Sequence, residues 1–442
     1  MKFDFLKPAE LAQRNVLILG LGSFGGGSGC AKALHSIGAK VTISDLRNPE
    51  QLQESITALK QYDIPMVLGE HPEHLFTATD VIVVNPAVPN DSPIWELAEK
   101  HKCILTTEVN LAIAHSAHVP TIAVTGTHGK STCVSLLKHL LGKDCLLAGN
   151  LGGSFLEQVL EQPKHARIVV EMSSFQCERL IAPIGWPNIA ILTNFAADHL
   201  DRHGDLKSYA AAKKRLIKYQ DKTNTILVPG SDEQSIKWKE AAKGSWVELD
   251  KIKLESFGLT KDDLPFSEPY RMPSLIAALQ ATYMLNEVIS KHSLINYPGL
   301  KHRMHHITDQ HGRKLIDNGI ATHPDPTTAA LKNLAGKVVL LAGGKDKNLN
   351  LDEILNAARG DTRMYLYGEG GKRLAKKCKS HSIWHEHFPN FAIACKKALS
   401  NLERNETLLF SPTFASYDEF NNFSERAQLF LKFAEETPID SS

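Results

Sequence analysis

Thr121-Ile-Ala-Val-Thr-Gly-Thr-His-Gly-Lys-Ser-Thr132 decides how the rest of the chain is read. A β-branched run ends in Gly126 and Gly129. Lys130, Ser131 and Thr132 then open a segment whose apolar residues Val134, Leu136, Leu137, Leu140 and Leu141 suit one face of a helix. Strand, glycine turn and helix, in that order, hold a phosphate: backbone N–H groups close on its oxygens and the helix N-terminus adds partial positive charge. Lys130 then neutralises the terminal phosphates, and a hydroxyl from Ser131 or Thr132 can ligate Mg²⁺. The spacing departs from the common Walker pattern, because Val124 stands where that pattern has its first glycine. A plain strand-turn-helix connection is the bland alternative.

At 442 residues the chain has room for about three domains of ~150 residues, each able to bury its own core. Lys+Arg 50 against Asp+Glu 49 leaves a net charge of +1, which marks the chain for neither nucleic acid nor an anionic membrane. The start carries an acid and no long apolar run, unlike a secretory signal, and no stretch reaches a spanning length of ~20 apolar residues. The cysteines at 30, 103, 133, 145, 177, 378 and 395 include no Cys-x-x-Cys pair, as expected of reduced thiols in a cytoplasm.

On the N-terminal side, a buried-type strand from Asn15 runs into Gly20, Gly22 and Gly25 in G-x-G-x-x-G spacing, followed by a helical stretch and the strand Lys40-Val-Thr-Ile-Ser-Asp45. An acid about twenty residues past the glycines completes a Rossmann-like unit. Such a unit takes a nucleotide diphosphate: NAD, FAD or a UDP-sugar. The strand Asp80–Val84 leads to a proline-punctuated loop, Asn85-Pro-Ala-Val-Pro89, at a strand end where ligands bind in open α/β sheets. After Cys103-Ile-Leu, Thr106-Thr-Glu-Val reads as the start of a linker, with a domain boundary near residue 108.

On the C-terminal side come a polar glycine turn, Leu147–Gly153, and a strand read as Ile168–Gln176. Glu171 inside that apolar strand is costly to bury unless it is paired or binds a metal, so it is either a Mg²⁺ ligand or a salt-bridged acid. Asp198, His199 and Asp201 lie just past the strand that starts at Ile189, and hard oxygens with one imidazole fit a second divalent ion.

Taken together, Thr-Gly-Thr-His-Gly-Lys-Ser-Thr, Glu-Met-Ser-Ser-Phe-Gln, Asp-His-Leu-Asp-Arg, Tyr209-Ala-Ala-Ala-Lys213 and the late Ser411–Phe423 segment resemble the Mur ligases, in the family's own order and over essentially the whole chain. The resemblance implies an α/β enzyme with a Rossmann-like UDP-substrate domain over 1–108, a central ATP-binding P-loop-type domain over 109–299 and a Rossmann-like amino-acid-binding domain over 300–442. It implies an ATP-dependent ligation of glutamate, most simply D-glutamate, to UDP-N-acetylmuramoyl-L-alanine. Small-molecule substrates and a cytoplasmic monomer are the expectation.

By the same resemblance, Gly126, Thr127, Gly129, Lys130, Ser131 and Thr132 hold ATP, with Arg271, Arg303 and Asp317 on the nucleotide side. Ser131 and Glu171 hold one Mg²⁺ and His199 a second, and Lys213 is carbamylated by CO₂ to become an anionic oxygen ligand. Lys130, Glu171, His199 and Lys213 are the implied catalytic residues. Ser23, Asp45 and Arg47 grip UDP, Asn150, Ser173, Ser174 and Gln176 meet the muramoyl-alanine part, and Thr322, Lys347, Ser416 and Phe423 receive the amino acid.

Three segments depart from the family pattern. Tyr270-Arg-Met-Pro-Ser274 lacks the asparagines that reach adenine, leaving Arg271 to stack on the base. Asn318-Gly-Ile-Ala-Thr322 lacks an acid and a lysine, with Asp317 one position early, and resembles ligases that add L-glutamate. Ala427 replaces a glycine after Arg426. The His-rich Lys301–His306 stretch has no cysteine or carboxylate at ligand spacing and is not read as a metal site. Two rivals remain: a folylpolyglutamate synthase-like ligase, disfavoured by the leading glycine-rich domain, and a nucleotide-binding scaffold without catalysis.

Overall fold

The computed structural model describes residues 3–22, 25–151, 153–161, 165–196, 198–230, 236–266, 271–346, 349–358, 360–420 and 422–438, with Asp201 and Asp325 described by backbone alone. Ser23, Lys347, Tyr270 and the side chain of Asp201 therefore lie outside the described residues. The chain divides into two compact units, Met1–Tyr297 and Pro298–Ser442.

The first unit holds two parallel sheets. In one, β1 (Asn15–Leu19), β2 (Lys40–Asp45), β3 (Met66–Leu68), β4 (Val81–Val84) and β5 (Ile104–Thr106) lie in the order β3-β2-β1-β4-β5. The order reverses between β1 and β4, which puts the glycine loop after β1 and Asn85 after β4 at the switch point where such sheets bind ligands. In the other, β6 (Thr121–Thr125), β7 (Cys145–Gly149), β8 (Arg167–Glu171), β9 (Ile189–Leu192), β10 (Thr225–Val228) and β11 (Ser245–Glu248) run β11-β10-β9-β6-β8-β7. The loop after β6 is thus flanked by the ends of β8 and β9.

The second unit carries β12 (His305–Thr308), β13 (Lys314–Asp317), β14 (Lys337–Gly343), β15 (Arg363–Tyr367), β16 (Trp384–Phe388) and β17 (Glu406–Thr413) in the order β12-β13-β17-β14-β15-β16. Only the β12–β13 pair is antiparallel among the pairings described.

Both faces of each sheet are covered, so the strands read as apolar runs and strand periodicity divides their residues between two cores. In β1, Val16 and Ile18 enter one core and Leu17 and Leu19 the other. In β14, Val339 and Leu341 face one core, Val338 and Leu340 the other.

Two expectations need correction. The segment after Thr106 is not a loose linker but a helix, Glu108–Ser116, capped by Thr107. Its Val109, Leu111, Ala112 and Ile113 enter a core shared by the two sheets, which explains why the first 297 residues form one unit. The strand expected to continue to Gln176 stops at Glu171. Ser173 accepts from the Gln176 N–H while the Gln176 side chain accepts from the Ser173 N–H, and this reciprocal cap starts a helix, Ser174–Glu178. All seven cysteines are unpaired, and among the described residues no helix is long and apolar enough to cross a membrane.

Candidate active site

Gly129 caps the helix Lys130–Leu141 in the left-handed region and, having no side chain, makes no capping hydrogen bond of its own. A helix N-terminus that opens from a glycine turn is a setting that suits an anion. Gly126 and Gly129 are required on steric grounds as well: a Cβ at Gly126 would stand 2.0 Å from Thr193 Oγ1, and one at Gly129 2.4 Å from Ser274 Oγ. Asn194 shapes the loop by accepting from the N–H groups of Thr127 and His128 at 3.0 and 2.8 Å. The Thr127 hydroxyl turns inward, to Ala196 O and Tyr209 Oη, both at 3.1 Å. Lys130 folds back on the loop, donating to Gly126 O at 3.0 Å and Thr127 O at 2.9 Å. Ser131 is largely buried behind it and Thr132 half-buried. Asn194 and Ser274 were not singled out from the sequence, because their partners are backbone groups of distant segments.

Lys213 is 2% exposed. Its ammonium donates to Gly126 O at 2.6 Å and lies 4.7 Å from the centroid of the Tyr209 ring. Burial, and secondarily the charge of Lys130, pull its pKa down to about 7, against the opposing charges of Cys177, Asp198 and Glu171. Glu171 ends β8, also buried. Its Oε1 accepts from Asn150 Nδ2 at 3.2 Å, while Oε2 is buried with no hydrogen-bond partner among the described residues. A buried carboxylate oxygen without a donor is chemically suited to a cation. His199 sits in the left-handed region at φ 52, with its ring half-exposed, 5.1 Å from Phe175 and with Nε2 3.5 Å from Asp198 Oδ2. No group of three His, Cys, Asp or Glu gathers into a ready metal set among the described residues. Mg²⁺ usually takes one or two protein ligands and completes its shell with substrate oxygens and water, so it needs no gathered set.

A cleft of about 610 Å³ opens at the switch point of the first sheet. Gly20, Asp45, Arg47 and Asn85 form one wall, and Asn150, Ser173, Phe175 and Gln176 the other. The structure thus brings Asp45, Arg47, Asn150, Ser173 and Gln176 to one place. Ser174 is not there: it is buried, its hydroxyl 3.0 Å from His203 Nε2. Burial pushes the Asp45 pKa up, but donors from Arg47 and the Gly22 N–H outweigh it and hold the carboxyl below its ordinary value. His71 also lines the cleft, its Nδ1 2.6 Å from Ser44 Oγ, and burial lowers its pKa against the charge of Asp45. Gly25 supplies the left-handed cap of the helix Gly26–Ser36, which again lacks a side-chain cap. Close packing of the helix start on the loop after β1 falls to Gly27, where a Cβ would stand 2.0 Å from Leu21 O.

Arg271 lies with its guanidinium 3.6 Å from the Phe266 ring centroid. In the second unit, Asp317 is fully buried, with Oδ2 2.7 Å from His302 Nδ1 and Oδ1 accepting from the Gly319 N–H at 2.9 Å. Arg303 follows His302 and is half-buried. Thr322 follows β13 and Ser416 follows β17, neighbouring strands that end on the same edge of the sheet, and Phe423 opens the helix Phe423–Glu436. Arg426, fully buried, ties that edge together. It donates to Gly343 O at 3.2 Å, Ala415 O at 3.3 Å and Phe414 O at 3.0 Å.

Two glycine-loop helices without a side-chain cap, a buried orphan carboxylate and a third, mostly parallel sheet define a multidomain α/β enzyme of the phosphate-handling kind. Family models match along the chain in order: Mur ligase MurD-like, N-terminal domain, over 14–106; Mur ligase middle domain over 124–264; and Mur ligase, glutamate ligase domain, over 302–414. The chain belongs to the Mur ligase family. It is 30% identical over 453 residues to a protein of Alkaliphilus oremlandii named UDP-N-acetylmuramoylalanine--D-glutamate ligase, covering 95% of this chain and 98% of that one. A protein of the same name from Staphylococcus carnosus is 30% identical over 447 residues, covering 97% and 98%. Among solved structures, UDP-N-acetylmuramate-alanine ligase MurC from Thermotoga maritima matches with a TM-score of 0.59 at 17% identity, covering 95% of this chain and 98% of that one. MurF from Acinetobacter baumannii matches at 0.56 and 15%, covering 95% and 93%. These two likenesses show the shared fold.

Proposed function

We propose that this chain joins D-glutamate to UDP-N-acetylmuramoyl-L-alanine, with ATP cleaved to ADP and phosphate, in the synthesis of peptidoglycan precursors. Asn150 carries the reading: it lines the cleft and donates to Glu171, so a substrate lying in the cleft ends beside the glycine loop. The names of relatives matched over almost the whole chain favour D-glutamate over L-glutamate. The match over 14–106 weighs against a folylpolyglutamate synthase, and the retained Glu171, His199 and Lys213 weigh against a scaffold.

A carboxylate is a poor electrophile. The terminal alanyl carboxylate attacks the γ-phosphorus of ATP, ADP departs, and the resulting acyl phosphate carries a good leaving group. The glutamate amine then attacks that carbonyl, loses its proton, and phosphate leaves as the amide forms. Lys130 and the N–H groups after Gly129 steady the phosphates. Ser131 and Glu171 fit one Mg²⁺ and His199 with carbamylated Lys213 a second, which would offset the charge where anionic groups converge. Addition of CO₂ to Lys213 forms an N–C bond and releases a proton, and it requires the neutral amine that a pKa of about 7 makes available. Thr132 stands beside Ser131, Arg271 faces the adenine, and Arg303 and Asp317 serve the nucleotide side. Ser23, Asp45, Arg47, Ser173 and Gln176 belong to the UDP-linked substrate, with Ser174 behind them holding His203, and Thr322, Lys347, Ser416 and Phe423 to glutamate.

The domain boundaries fall near residues 108 and 299. The enzyme acts as a cytoplasmic monomer on small molecules, consistent with the net charge of +1 and the unpaired cysteines. The test is phosphate release from ATP with UDP-N-acetylmuramoyl-L-alanine and D-glutamate, L-glutamate or neither. Release only with D-glutamate is expected. Release only with L-glutamate reverses the acceptor, and none with either, from folded protein, ends the ligase reading.

A further inference from the structure

We propose that Arg179 is a positioning residue for the UDP-linked substrate, setting the spacing between the two walls of the cleft; this rests on the cleft being that substrate's site. Arg179 ends the helix Ser174–Glu178, the element whose Ser173, Phe175 and Gln176 form the second wall. Its backbone is anchored on that side, where its carbonyl accepts from Asn110 Nδ2 at 2.9 Å. Its guanidinium crosses to the first sheet's side. Nη1 donates to Asn85 O at 3.1 Å, and Nη2 to Val88 O at 2.5 Å and Asn90 Oδ1 at 3.0 Å. The head lies 5.0 Å from the Trp95 ring and 5.9 Å from Phe3. The residue is 4% exposed, and among the described residues none of its hydrogen bonds goes to a carboxylate.

A buried cation satisfied by carbonyls and aromatic faces is an expensive way to hold two domains together if adhesion is all that is needed. What it holds is specific. Asn85 donates through Nδ2 to Gly20 O at 3.0 Å and through its N–H to Leu19 O at 2.9 Å, so the loop gripped by Arg179 braces the glycine turn at the switch point. Arg202 adds a second strut, donating to the same Val88 carbonyl at 2.7 Å while lying 5.5 Å from the Phe175 ring. The loop Asn85–Asn90 is therefore located by guanidinium groups that belong to the other wall. A ligand that spans both walls senses that spacing; ATP on the loop after β6 does not.

The test compares wild type with Arg179→Met, which keeps the apolar stem, Arg179→Lys, and Asn90→Ala. This last, an exposed loop change, removes one arm of the grip together with the bond from Asn90 Nδ2 to Glu178 Oε1 at 2.6 Å, with Glu178→Ala as the control that removes the second bond alone. Binding of UDP-N-acetylmuramoyl-L-alanine and of ATP is measured separately by calorimetry, and KM and kcat by phosphate release. Arg179→Met is expected to weaken UDP-substrate binding and raise its KM about tenfold, with ATP binding and kcat within about threefold of wild type. Lysine should restore part of the loss, and Asn90→Ala should raise the same KM about threefold. If Arg179→Met fails to fold, Asn90→Ala decides: an unchanged KM overturns the proposal. A folded Arg179→Met that binds the UDP substrate as wild type does, with only a lower Tm, also overturns it and leaves the cleft assignment standing. Wild type that fails to bind the UDP substrate removes that assignment and the proposal with it.

Discussion

Lys213 is a lysine placed where lysine is costly, and the cost has a sign that can be measured. Its pKa of about 7 in the folded chain lies below the ordinary 10.5. Below about pH 7 both folded and unfolded chains carry the proton, and the folded state bears the full penalty of a buried charge. Between about 7 and 10.5 the unfolded chain holds a proton that the folded chain has released, so stability rises with pH through that window. In buffer free of CO₂ and metal, Lys213→Met should raise the Tm by several degrees near pH 6.5 and by little near pH 10. A difference that does not change with pH would mean the amine is not held neutral. The residue type was legible in the sequence through the Tyr209–Lys213 segment. Its burial under Gly126 was not, because that contact joins positions 87 apart in the chain.

At the scale of elements, the helix Glu108–Ser116 shows how a segment read as a linker becomes structural. Glu108 is half-buried; desolvation raises its pKa, against donors from Leu156 N–H and Ser154 Oγ at 2.6 and 2.7 Å. It thereby satisfies the start of the helix Phe155–Glu161, just past the glycine turn that follows Asn150. Glu108→Ala leaves a buried N–H and a hydroxyl without an acceptor and should cost roughly 2–3 kcal/mol, read as a lower midpoint in urea. Glu108→Gln keeps an acceptor and should lose less; equal losses would show that the carboxylate's volume, not its hydrogen bonds, is what matters. Reading Ile168–Gln176 as one strand failed for a related reason. Apolar alternation signals a strand but does not report a reciprocal Ser173–Gln176 cap, which ends it.

For the whole molecule, the cleft lies entirely within residues 1–297, a unit with its own cores, whereas Thr322, Ser416 and Phe423 belong to the second unit. A fragment of residues 1–297 should therefore fold and bind UDP-N-acetylmuramoyl-L-alanine within about threefold of the full chain, yet form no amide. Loss of UDP-substrate binding in the folded fragment would place part of that site in the second unit. The sequence alone marked the strands beginning at Asn15, Lys40, Val81 and Thr121 and the two glycine loops, because the local order of apolar runs and glycines dictates elements. Only the tertiary structure decided which residues meet. It sent Ser173 to the cleft and its neighbour Ser174 into the core, left Glu171 with an orphan oxygen, joined the first two sheets through one shared core, and put Arg179 across the cleft's walls. Those outcomes depend on burial and on partners far apart in the chain, which no local pattern encodes.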